Sequence, residues 1–450
     1  MLGALGAGAS LRGVGTAAAT AIPERDADGT ALTTTVATQN LGLGAGFLSI
    51  ASDDSDASIP ERVGSLYNTV RASEPHARLA ALADELARAS PTILGVQEAA
   101  VVRRGPRSGG APTDPDAESV VFDFLAILRE ALADRGTPYR LIATTTNVDL
   151  ELPARADGNR IDVRLTDRDA LLVRGDADVE VESAAAATYD ASVTLPIGGD
   201  RTVEIERGYA RADLRFEGAS VTVLSTHLAS GLKSVRTEQA RELAETVESL
   251  SGPLVVLGDL NDPPDAAVPT ATPDGNESTD AGAYGVLTGT LTDAARAAGV
   301  TGGTCCRPSS LRPPDEDGLT QRIDHVLVRG VRATSAERFA VEPTESASDG
   351  SGLFPSDHAG VLVGVTSAPA TPSTADPSES PVTDEDTGGT RGIATGDDGG
   401  ATVGGATGDS TTDADPGTTT ATGTPGFGPL SALVAVVGLS VASIRRLGRD

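Results

Sequence analysis

An apolar run at residues 254–257 is followed closely by Asp259, Asn261 and paired prolines at 263–264. A short apolar run bounded by turn residues is typical of a strand buried in a sheet. Asp and Asn favour turns and proline ends strand pairing, so a turn that closes a strand explains this stretch when it is taken alone. The stretch also puts a carboxylate and an amide together at a strand end, where open α/β sheets carry their sites.

Strand-like and helix-like segments alternate from residue 33 to residue 365. Apolar residues at helical spacing predict a helix over 76–90, which Pro91 ends. The same reasoning predicts helices at 121–132 and 237–250, and strands at 36–40, 93–96, 169–173, 220–225, 254–257, 323–328 and 360–365. Strands interleaved with helices predict an α/β fold with buried sheets.

The chain is strongly acidic, with a net charge of −29 and with Lys233 as the single lysine among 35 basic residues. This composition resembles that of proteins from salt-loving archaea, and we interpret it as a surface adapted to high salt. Acidity normally argues against a nucleic-acid partner, but at molar salt the Debye length is only about 3 Å. The net charge therefore excludes no substrate class. The 5 tyrosines and 7 phenylalanines, without tryptophan, form no evident stacking platform, which weakens a groove for single-stranded nucleic acid.

Polar groups fall where the predicted strands end or begin. They are carboxylates, amides and imidazoles, namely Asn40, Glu98, His227, Asp259, Asn261, Asp324, Asp357 and His358. Carboxylates and amides suit Mg²⁺ or Mn²⁺, which bind hard oxygen ligands and leave positions for phosphate. A histidine paired with an acid transfers protons near neutral pH. The strand ends therefore predict a metal-assisted site for phosphate chemistry.

Six motifs in order, TQNL, GVQE, STHL, GDLND, RIDHVL and SDHAGV, resemble the endonuclease/exonuclease/phosphatase superfamily. That superfamily includes deoxyribonucleases, apurinic endonucleases, inositol phosphatases and sphingomyelinases. Each motif alone is weak evidence, but the ordered set is specific. The resemblance implies a four-layer α/β/β/α sandwich, in which two mixed sheets pack face to face between helices, with the active site at one edge of the sheet pair.

The resemblance also implies a metal and phosphate site, with Mg²⁺ as the cofactor and Mn²⁺ or Ca²⁺ as alternatives. Glu98 would be the principal metal ligand, and Asn40 would lie beside it on metal or phosphate. Asp259 and Asn261 would hold the phosphate, with Asp259 also a ligand where a second metal binds. Asp357 would remain near the metal.

Proton transfer is the second set of roles that the resemblance implies. His358 would activate the attacking water, with Asp324 orienting its other ring nitrogen. His227 matches the second histidine of the deoxyribonuclease and sphingomyelinase branch, where a nearby acid holds it. Asp169 is our candidate for that acid, and Asp167 is the alternative.

The chain departs from the family pattern at two positions. Some members have an acid two residues after the asparagine of the first motif, where this chain has Gly42. Many have tyrosine after the aspartate of the RID motif, where this chain has His325. Strand alternation sends His325 to the face opposite Asp324, so we interpret it as structural. The remaining histidine, His76, follows Pro75 at a helix start and is expected to be solvated.

Three arginines, Arg103, Arg104 and Arg107, follow Glu98 in a segment rich in Gly and Pro. Arginine forks bind phosphates, so Arg103 is a candidate substrate-binding residue, and a solvated loop is the alternative.

The only cysteines, Cys305 and Cys306, are adjacent, which excludes a disulfide framework and a four-cysteine zinc site. They are either two small loop residues or a vicinal disulfide.

The ends of the chain differ from its centre in composition. Residues 1–30 resemble a leader that ends in an A-x-A-like site but lacks a basic start, so secretion and a flexible leader both remain open. We expect a folded domain of the superfamily type at 31–366 and a disordered stalk at 367–424. The segment 425–450 carries 18 uncharged residues followed by two arginines, and it resembles the PGF sorting signal of haloarchaeal surface proteins. A membrane span and a lipid anchor both fit it, and either predicts a cell-surface protein, which we expect to be monomeric.

The predicted function is metal-dependent hydrolysis of phosphodiester bonds in extracellular DNA or RNA, because the two histidines match the nuclease branch. One alternative is a lipid or sugar-phosphate phosphatase of the sphingomyelinase or inositol-phosphatase type. It would be expected to have an apolar substrate loop, which the polar segments at 99–118 and 263–285 do not show. The other alternative is a non-catalytic surface binding module, against which the full set of catalytic-type residues argues.

Overall fold

The computed structural model describes residues 32–47, 50, 57–197, 201–264, 270–271, 277–278, 281–313, 318–344 and 347–367. The described residues form six helices: α1 (Ile59–Ala72), α2 (Pro75–Ala89), α3 (Phe124–Asp134), α4 (Lys233–Ser249), α5 (Ala283–Thr288) and α6 (Ala294–Ala297). They also form the strands β1 (Thr33–Asn40), β2 (Ile93–Gln97), β3 (Val101–Pro106), β4 (Ser119–Asp123), β5 (Tyr139–Ala156), β6 (Asn159–Arg174), β7 (Glu180–Thr188), β8 (Val193–Pro196), β9 (Thr202–Ile205), β10 (Gly208–Phe216), β11 (Ala219–His227), β12 (Leu254–Asp259), β13 (Thr270–Ala271), β14 (Glu277–Ser278), β15 (Thr292–Asp293), β16 (Asp324–Arg329), β17 (Val331–Phe339) and β18 (Gly360–Ser367).

Two mixed sheets carry the fold. Sheet A has eight strands in the order β17-β18-β1-β2-β6-β3-β4, with β5 also paired to β6. Sheet B has six strands in the order β15-β16-β12-β11-β10-β7. Each sheet contains one parallel pair, β1 with β2 in sheet A and β11 with β12 in sheet B. The remaining pairs in both sheets are antiparallel, so both sheets are mixed, as predicted.

The central strands are apolar on both faces because both faces are buried. In β12, Val255 and Leu257 pack into the core between the sheets, whereas Leu254 and Val256 pack against helices on the outer face. Helices α1, α2 and α3 cover the outer face of sheet A, and α4 and α5 cover the outer face of sheet B. The layers therefore run helix, sheet, sheet, helix, which confirms the predicted α/β/β/α sandwich.

The parallel pairs bring distant sequence motifs to the same edge. Asn40 lies opposite Gln97 at the end of the β1–β2 pair, and His227 lies opposite Asp259 at the end of the β11–β12 pair. β16 runs antiparallel to β12 and begins at Asp324, which therefore also lies opposite Asp259. Strand ends from both sheets thus meet at one edge of the sandwich.

Gly258 is required where β11 and β12 approach each other. A Cβ atom added there would lie 2.2 Å from the Thr226 carbonyl oxygen, too close for any side chain. The glycine of the GDLND motif thus brings Asp259 next to His227.

Three sequence predictions differ from the structure. The helix expected from residue 121 begins at Phe124, because Val121 and Phe122 belong to β4 at the edge of sheet A. The polar segment 99–118 is not a continuous loop, since Val101–Pro106 pairs with both β4 and β6. Part of the segment 263–285 belongs to α5, and much of the rest lies outside the described residues.

The predicted leader at 1–30, all but the first residue of the stalk at 367–424 and the apolar segment at 425–450 lie outside the described residues. Among the residues that are described, no helix has both the length and the apolar character that a membrane span requires.

Candidate active site

The strand ends surround a cavity of about 340 Å³. The predicted site residues that line it are Glu98, His227, Asp259, Asn261, Asp357 and His358. Two further predicted residues, Asn40 and Asp324, lie directly behind this wall and are fully buried. Residues that are more than 300 positions apart in the sequence therefore converge on one space.

Asn40 joins the two sheets at the cavity. Its Nδ2 atom donates to Oδ2 of Asp259 at 3.0 Å and lies 3.3 Å from Oε1 of Glu98. The second Glu98 oxygen accepts the Leu43 backbone N–H at 2.6 Å. Asp259 uses its other oxygen to accept the Asn261 backbone N–H at 2.8 Å. The amide therefore fixes a carboxylate from each sheet on the same side of the cavity.

Gly42 leaves the space that Asp357 fills. Gly42 has φ +65°, and a Cβ atom there would lie 2.2 Å from Oδ1 of Asp357. Its backbone N–H donates to the Asn40 side chain at 2.9 Å. At this departure from the family pattern, the absence of a side chain thus leaves room for the Asp357 carboxylate, which lines the cavity.

Crowding of acids raises their pKa values. Burial, together with the Asp357 and Asp167 carboxylates, raises the pKa of Glu98 to about 7. Burial and the neighbouring Asp324 raise the pKa of Asp259 to about 6. Oδ1 of Asp324 is buried without a hydrogen-bond partner. Three groups beside the cavity could bind one ion, because their ligand atoms lie within 4.8 Å of one another: the carboxylates of Asp259 and Asp324 and the imidazole of His358.

His358 and Asp324 form a hydrogen-bonded pair, with 2.8 Å between Nδ1 and Oδ2. This contact leaves Nε2 as the ring nitrogen that faces Asp259, at 3.9 Å from its Oδ2. Burial lowers the pKa of His358, but Asp324, Asp259 and Asp357 outweigh burial and raise it well above the ordinary value. The pair has the arrangement of a proton-transferring histidine held by an acid.

His227 has a different environment. Its Nε2 lies 3.0 Å from Nδ2 of Asn261, and its Nδ1 lies 3.2 Å from Nη1 of Arg207. Burial lowers the pKa of His227 well below its ordinary value, and the Arg207 and His358 charges lower it further. The pKa values of the two histidines at the cavity are thus shifted in opposite directions, because carboxylates surround His358, whereas burial and the Arg207 charge act on His227.

Neither of the two candidate acids, Asp169 and Asp167, forms a direct hydrogen bond with His227. Oδ1 of Asp169 lies 3.8 Å from Nδ1 of His227, beyond hydrogen-bond distance, and Asp169 is fully buried. The alternative, Asp167, lines the cavity and accepts from Nη1 of Arg207 at 3.0 Å. Burial, with Asp167 nearby, raises the pKa of Asp169 well above its ordinary value. Asp167 therefore reaches His227 through Arg207, and Asp169 interacts with the ring only at a longer range.

Arg103 lies away from the described wall of the cavity. It is on β3, and its Nη1 donates to Oγ1 of Thr166 on β6 at 2.8 Å. Arg107 forms an ion pair with the buried Asp162 at 3.0 Å, and Arg104 is exposed. Arg103 and Arg107 thus bind groups on β6, and the proposed role of Arg103 in substrate binding stays a prediction.

His325 lies on the opposite face of β16, as strand alternation predicts. Its ring packs against Tyr284 at 4.8 Å between centroids, and its Nδ1 lies 3.4 Å from Oδ2 of Asp293. Its Nε2 lies 3.2 Å from the Asp262 carbonyl oxygen. His76 is exposed and contacts the edge of Phe122. The cysteines are joined in a vicinal disulfide, the second of the two alternatives.

Two buried arginines at the site were not identified from the sequence. Arg207 lines the cavity between β9 and β10. Arg78 of α2 is fully buried and donates to the carbonyl oxygens of Leu41, Gly42 and Pro355, on either side of the cavity. Burial lowers the pKa of Arg78 to about 10, against the raising effect of Asp357 and Glu98. The one sequence signal for Arg78 was an arginine on the apolar face of α2, directly before Leu79.

One wall of the cavity is apolar, which the sequence did not predict either. It is formed by residues from β5, β6, β8, β9 and the turn after β1, namely Leu43, Ala45, Phe47, Val148, Leu165, Val193 and Ile205. The cavity therefore has both charged and apolar lining residues.

A sequence profile described as "Endonuclease/Exonuclease/phosphatase family" matches residues 38–358. No curated protein matches the chain significantly. Among solved structures, the chain is similar to an endonuclease/exonuclease/phosphatase family protein from Bacteroides thetaiotaomicron, at 16% identity and a TM-score of 0.47, covering 76% of this chain and 97% of that chain. A mannosyl-6-phosphatase from the same organism gives 17% identity and a TM-score of 0.46, covering 74% of this chain and 99% of that one. D. rerio TDP2, complexed with a single-strand DNA product, gives 13% identity and a TM-score of 0.42, with 74% and 98% covered. Identities this low carry no information on the substrate.

Proposed function

The chain belongs to the endonuclease/exonuclease/phosphatase family of phosphoester hydrolases, and from this premise we propose that it is a divalent-metal-dependent phosphodiesterase that cleaves DNA or RNA outside the cell. The observation that carries the proposal is the convergence of Glu98 and Asp259, bridged by Asn40, on the cavity that His358 also lines. Hydrolysis needs oxygen ligands and a proton acceptor around one phosphate, and these four residues supply both.

The residues at the cavity fit a divalent cation. Burial is the main cause of the raised pKa values of Glu98 and Asp259, and neighbouring carboxylates add to it, whereas His358 only partly offsets the shift. Oxygen ligands of this kind select Mg²⁺ or Mn²⁺, and Ca²⁺ is also compatible. Glu98 would hold the ion, with Asn40 and Asp259 beside it and Asp357 nearby. When bound, the ion supplies Lewis-acid polarisation of a phosphoryl oxygen.

The remaining chemistry belongs to the side chains. Asp324 holds Nδ1 of His358, so Nε2 is the atom that accepts the proton of the attacking water. Asn261 and His227 face the same cavity from the other sheet, where they hold phosphate oxygens and the leaving oxygen. Arg207 adds a positive charge at this position, which favours the developing negative charge of an in-line displacement.

The apolar wall favours a second candidate, a phosphoester whose alcohol is apolar. Arg207 is the single lysine or arginine among the described residues that line the cavity, whereas a nucleic-acid groove uses several cations along the backbone. An acyl, alkyl or aryl group would instead bury apolar surface against Phe47, Val193 and Ile205. The apolar surface that was absent from the polar segments 99–118 and 263–285 is thus provided by other parts of the chain.

A substrate panel distinguishes the two candidates. The purified full-length chain is incubated at molar KCl with plasmid DNA, RNA, a phospholipid and an inositol phosphate, with Mg²⁺ or with a chelator. The nuclease proposal expects Mg²⁺-dependent nicking of the plasmid. Turnover of the phospholipid while the plasmid stays intact would contradict the nuclease proposal and favour the second candidate. Full activity in the presence of the chelator would contradict the metal requirement.

Phe47→Ser provides an independent test of the apolar wall. We expect it to reduce kcat/KM for a long-chain alkyl phosphodiester by about tenfold, the equivalent of roughly 1.4 kcal/mol of apolar contact, with little change for a methyl ester. Phe216→Ser, on β10 away from the cavity lining, is the matched control. Equal effects on the two esters would contradict a role of the wall in substrate choice.

We also propose that the protein is exported and anchored at the cell surface. The leader-like residues 1–30 and the apolar segment 425–450 support this proposal. Mass spectrometry of the protein from washed cell envelopes tests it, with loss of the leader as the expected result. Recovery of the full chain from the soluble cell extract would contradict it.

A further inference from the structure

Cys305, Cys306 and His358 lie together at the cavity wall. One ligand atom from each, the two sulphur atoms and an imidazole nitrogen, lies within 4.8 Å of the others. Cys306 is exposed and lines the cavity, whereas Cys305 is buried. We propose that, once its disulfide is reduced, this cysteine pair and His358 form a binding site for a thiophilic metal ion such as Zn²⁺, Cd²⁺ or Cu⁺, which shares His358 with the carboxylate cluster of Asp259 and Asp324.

Backbone hydrogen bonds keep the two segments together. The Ala359 N–H donates to the Thr304 carbonyl oxygen at 2.7 Å, and the Arg307 N–H donates to the Asp357 carbonyl oxygen at 2.9 Å. Cys305 is held on its other side by two bonds with Gln321, each of 2.9 Å. The cysteines are therefore fixed against the segment that carries His358, and opening of the disulfide leaves this frame in place.

The two groups of ligand atoms near the His358 ring differ in chemistry. Carboxylate oxygens from Asp324 and Asp259 lie within 4.8 Å of a ring nitrogen, and so, as a separate group, do the two sulphur atoms. Hard oxygen ligands select Mg²⁺ or Mn²⁺, whereas thiolate and imidazole select Zn²⁺, Cd²⁺ or Cu⁺. Because Asp324 occupies Nδ1, Nε2 is the nitrogen available to a metal. A thiophilic ion bound there would occupy the atom that accepts the proton from water.

Reduction must come before binding, because the sulphur atoms are bonded to each other in the structure. A thiol reductant supplies the two electrons: two reductant thiols and the Cys305–Cys306 disulfide give two cysteine thiols and one reductant disulfide. Binding of the ion then displaces the two thiol protons and leaves two thiolate ligands. The exposed Cys306 is the sulphur that a reductant can reach.

Titration of the full-length protein with Cd²⁺ tests the site directly, because a cadmium–thiolate bond gives an ultraviolet charge-transfer band that carboxylate ligands do not give. The protein is reduced with a dithiol, freed of reductant without air, and titrated in excess Mg²⁺. We expect a band that saturates at one Cd²⁺ per chain, and no band in protein that has not been reduced. A stoichiometric loss of phosphoester hydrolysis should accompany it where activity is measurable.

Variants assign the ligands. Cys306→Ser should lose the saturable band. Its affinity for Cd²⁺ should fall by more than the roughly 10–100-fold that results from changing a residue that only contacts a metal ligand. His358→Ala should keep the cysteine band but weaken Cd²⁺ binding at least about tenfold, whereas His76→Ala should bind like the parent protein. Equal binding in His358→Ala and His76→Ala, or a band of equal size before reduction, would overturn the proposal. Since the band is independent of turnover, its failure is distinguishable from a failure of the proposed phosphodiesterase activity.

Discussion

At the level of single residues, His358 is the group on which hydrolysis depends most directly. Asp324 holds its Nδ1, and its Nε2 faces the cavity. We expect His358→Ala to lower kcat by about 10²–10⁴-fold, the usual contribution of a general base. It should also lower the free energy of unfolding, because the buried Asp324 carboxylate loses its imidazole partner, so kcat is compared under conditions in which this variant and its control are both folded. His76→Ala is the matched control, because His76 is exposed and distant in sequence from the motifs. A phosphoester turnover that is equal in both variants would favour the non-catalytic binding module.

The acid cluster makes the stability of the metal-free protein depend on pH. The folded-state pKa values of Glu98, about 7, and Asp259, about 6, exceed the values of the unfolded chain, and the pKa of His358 is also raised. Groups with raised pKa values favour the folded state when protonated, so their contribution is lost as the pH rises through the folded pKa. We therefore expect the contribution of these three groups to the free energy of unfolding in chelator to fall between pH 5 and pH 8.5, by on the order of 2 kcal/mol for Glu98 alone. The lowered pKa of His227 acts in the opposite direction below the ordinary histidine value, so the contribution of Glu98 is obtained by comparison with a variant.

Denaturant unfolding at several pH values measures this effect. Added Mg²⁺ should restore the stability at the higher pH, because the ion replaces the missing positive charge. Glu98→Gln should flatten the dependence, whereas Glu130→Gln, at an exposed position of α3, should not. An equal pH dependence in Glu98→Gln and Glu130→Gln would mean that the Glu98 carboxylate is already compensated by other groups.

The sequence predicted correctly which side chains lie together at the cavity where each follows a strand, and it missed side chains that arrive from elsewhere; their catalytic and metal-binding roles stay predictions. Asn40, Asp259 and Asp324 were identifiable because a strand end fixes both their position and their direction. Arg207 and Arg78 were not, since each reaches the site through a long side chain from an element without a motif. Pairing of a buried arginine with particular carbonyl groups depends on the tertiary structure, which no local spacing reveals.

At the level of elements, helix α2 holds two backbone segments beside the cavity through the side chain of Arg78. Its guanidinium donates to carbonyl oxygens of Leu41, Gly42 and Pro355, and it packs over the Phe124 ring at 4.8 Å. We expect Arg78→Met to cost about 2–4 kcal/mol of stability, because buried carbonyl groups lose their donors. It should also weaken Mg²⁺ binding, since the turn at Leu43 that donates to Glu98 loses its support.

Calorimetry of Mg²⁺ binding and denaturant unfolding measure the two parts of this prediction. Arg71→Met on α1 is the control, because Arg71 is exposed and pairs with the exposed Asp157. Unchanged Mg²⁺ affinity in Arg78→Met, despite a lower stability, would show that the arginine supports the fold without positioning the ligands.

Among the strands, the sequence predicted those buried on both faces, such as β2, β12 and β16, whose apolar runs are continuous. The long hairpin of β5 and β6 was recognised only at its end, because one side of it is partly exposed and its pattern is mixed. Its turn was nevertheless visible: Asp157 and Gly158 both have positive φ, the Asp-Gly signature of a tight hairpin. Strand β3 was missed because its arginines alternate between exposed and half-buried positions, which resembles a polar loop.

For the whole molecule, the acidic composition has a consequence for stability that the fold itself does not determine. A net charge of −29 creates repulsion between carboxylates on the surface of the folded protein. This repulsion is much weaker in the unfolded chain, in which the same charges are spread over a larger volume. Salt screens this repulsion over about 10 Å at 0.1 M and about 3 Å at 1 M. We therefore expect the unfolding midpoint to rise steeply with KCl concentration up to the molar range, in agreement with the proposed adaptation to high salt.

Charge screening can be separated from the general effect of salts on apolar burial by changing the protein. Glu217, Glu245 and Glu248 are exposed positions on the turn after β10 and on α4. Their replacement by glutamine should raise the unfolding midpoint at 0.1 M KCl and reduce the increase of the midpoint towards 2 M KCl, because fewer charges remain to be screened. As the control, an equal number of serine-to-alanine changes at exposed sites should have neither effect. A midpoint that rises equally with KCl in the parent and in the triple variant would attribute the salt response to apolar burial, and the acidic surface would then have no part in the stability of the folded domain.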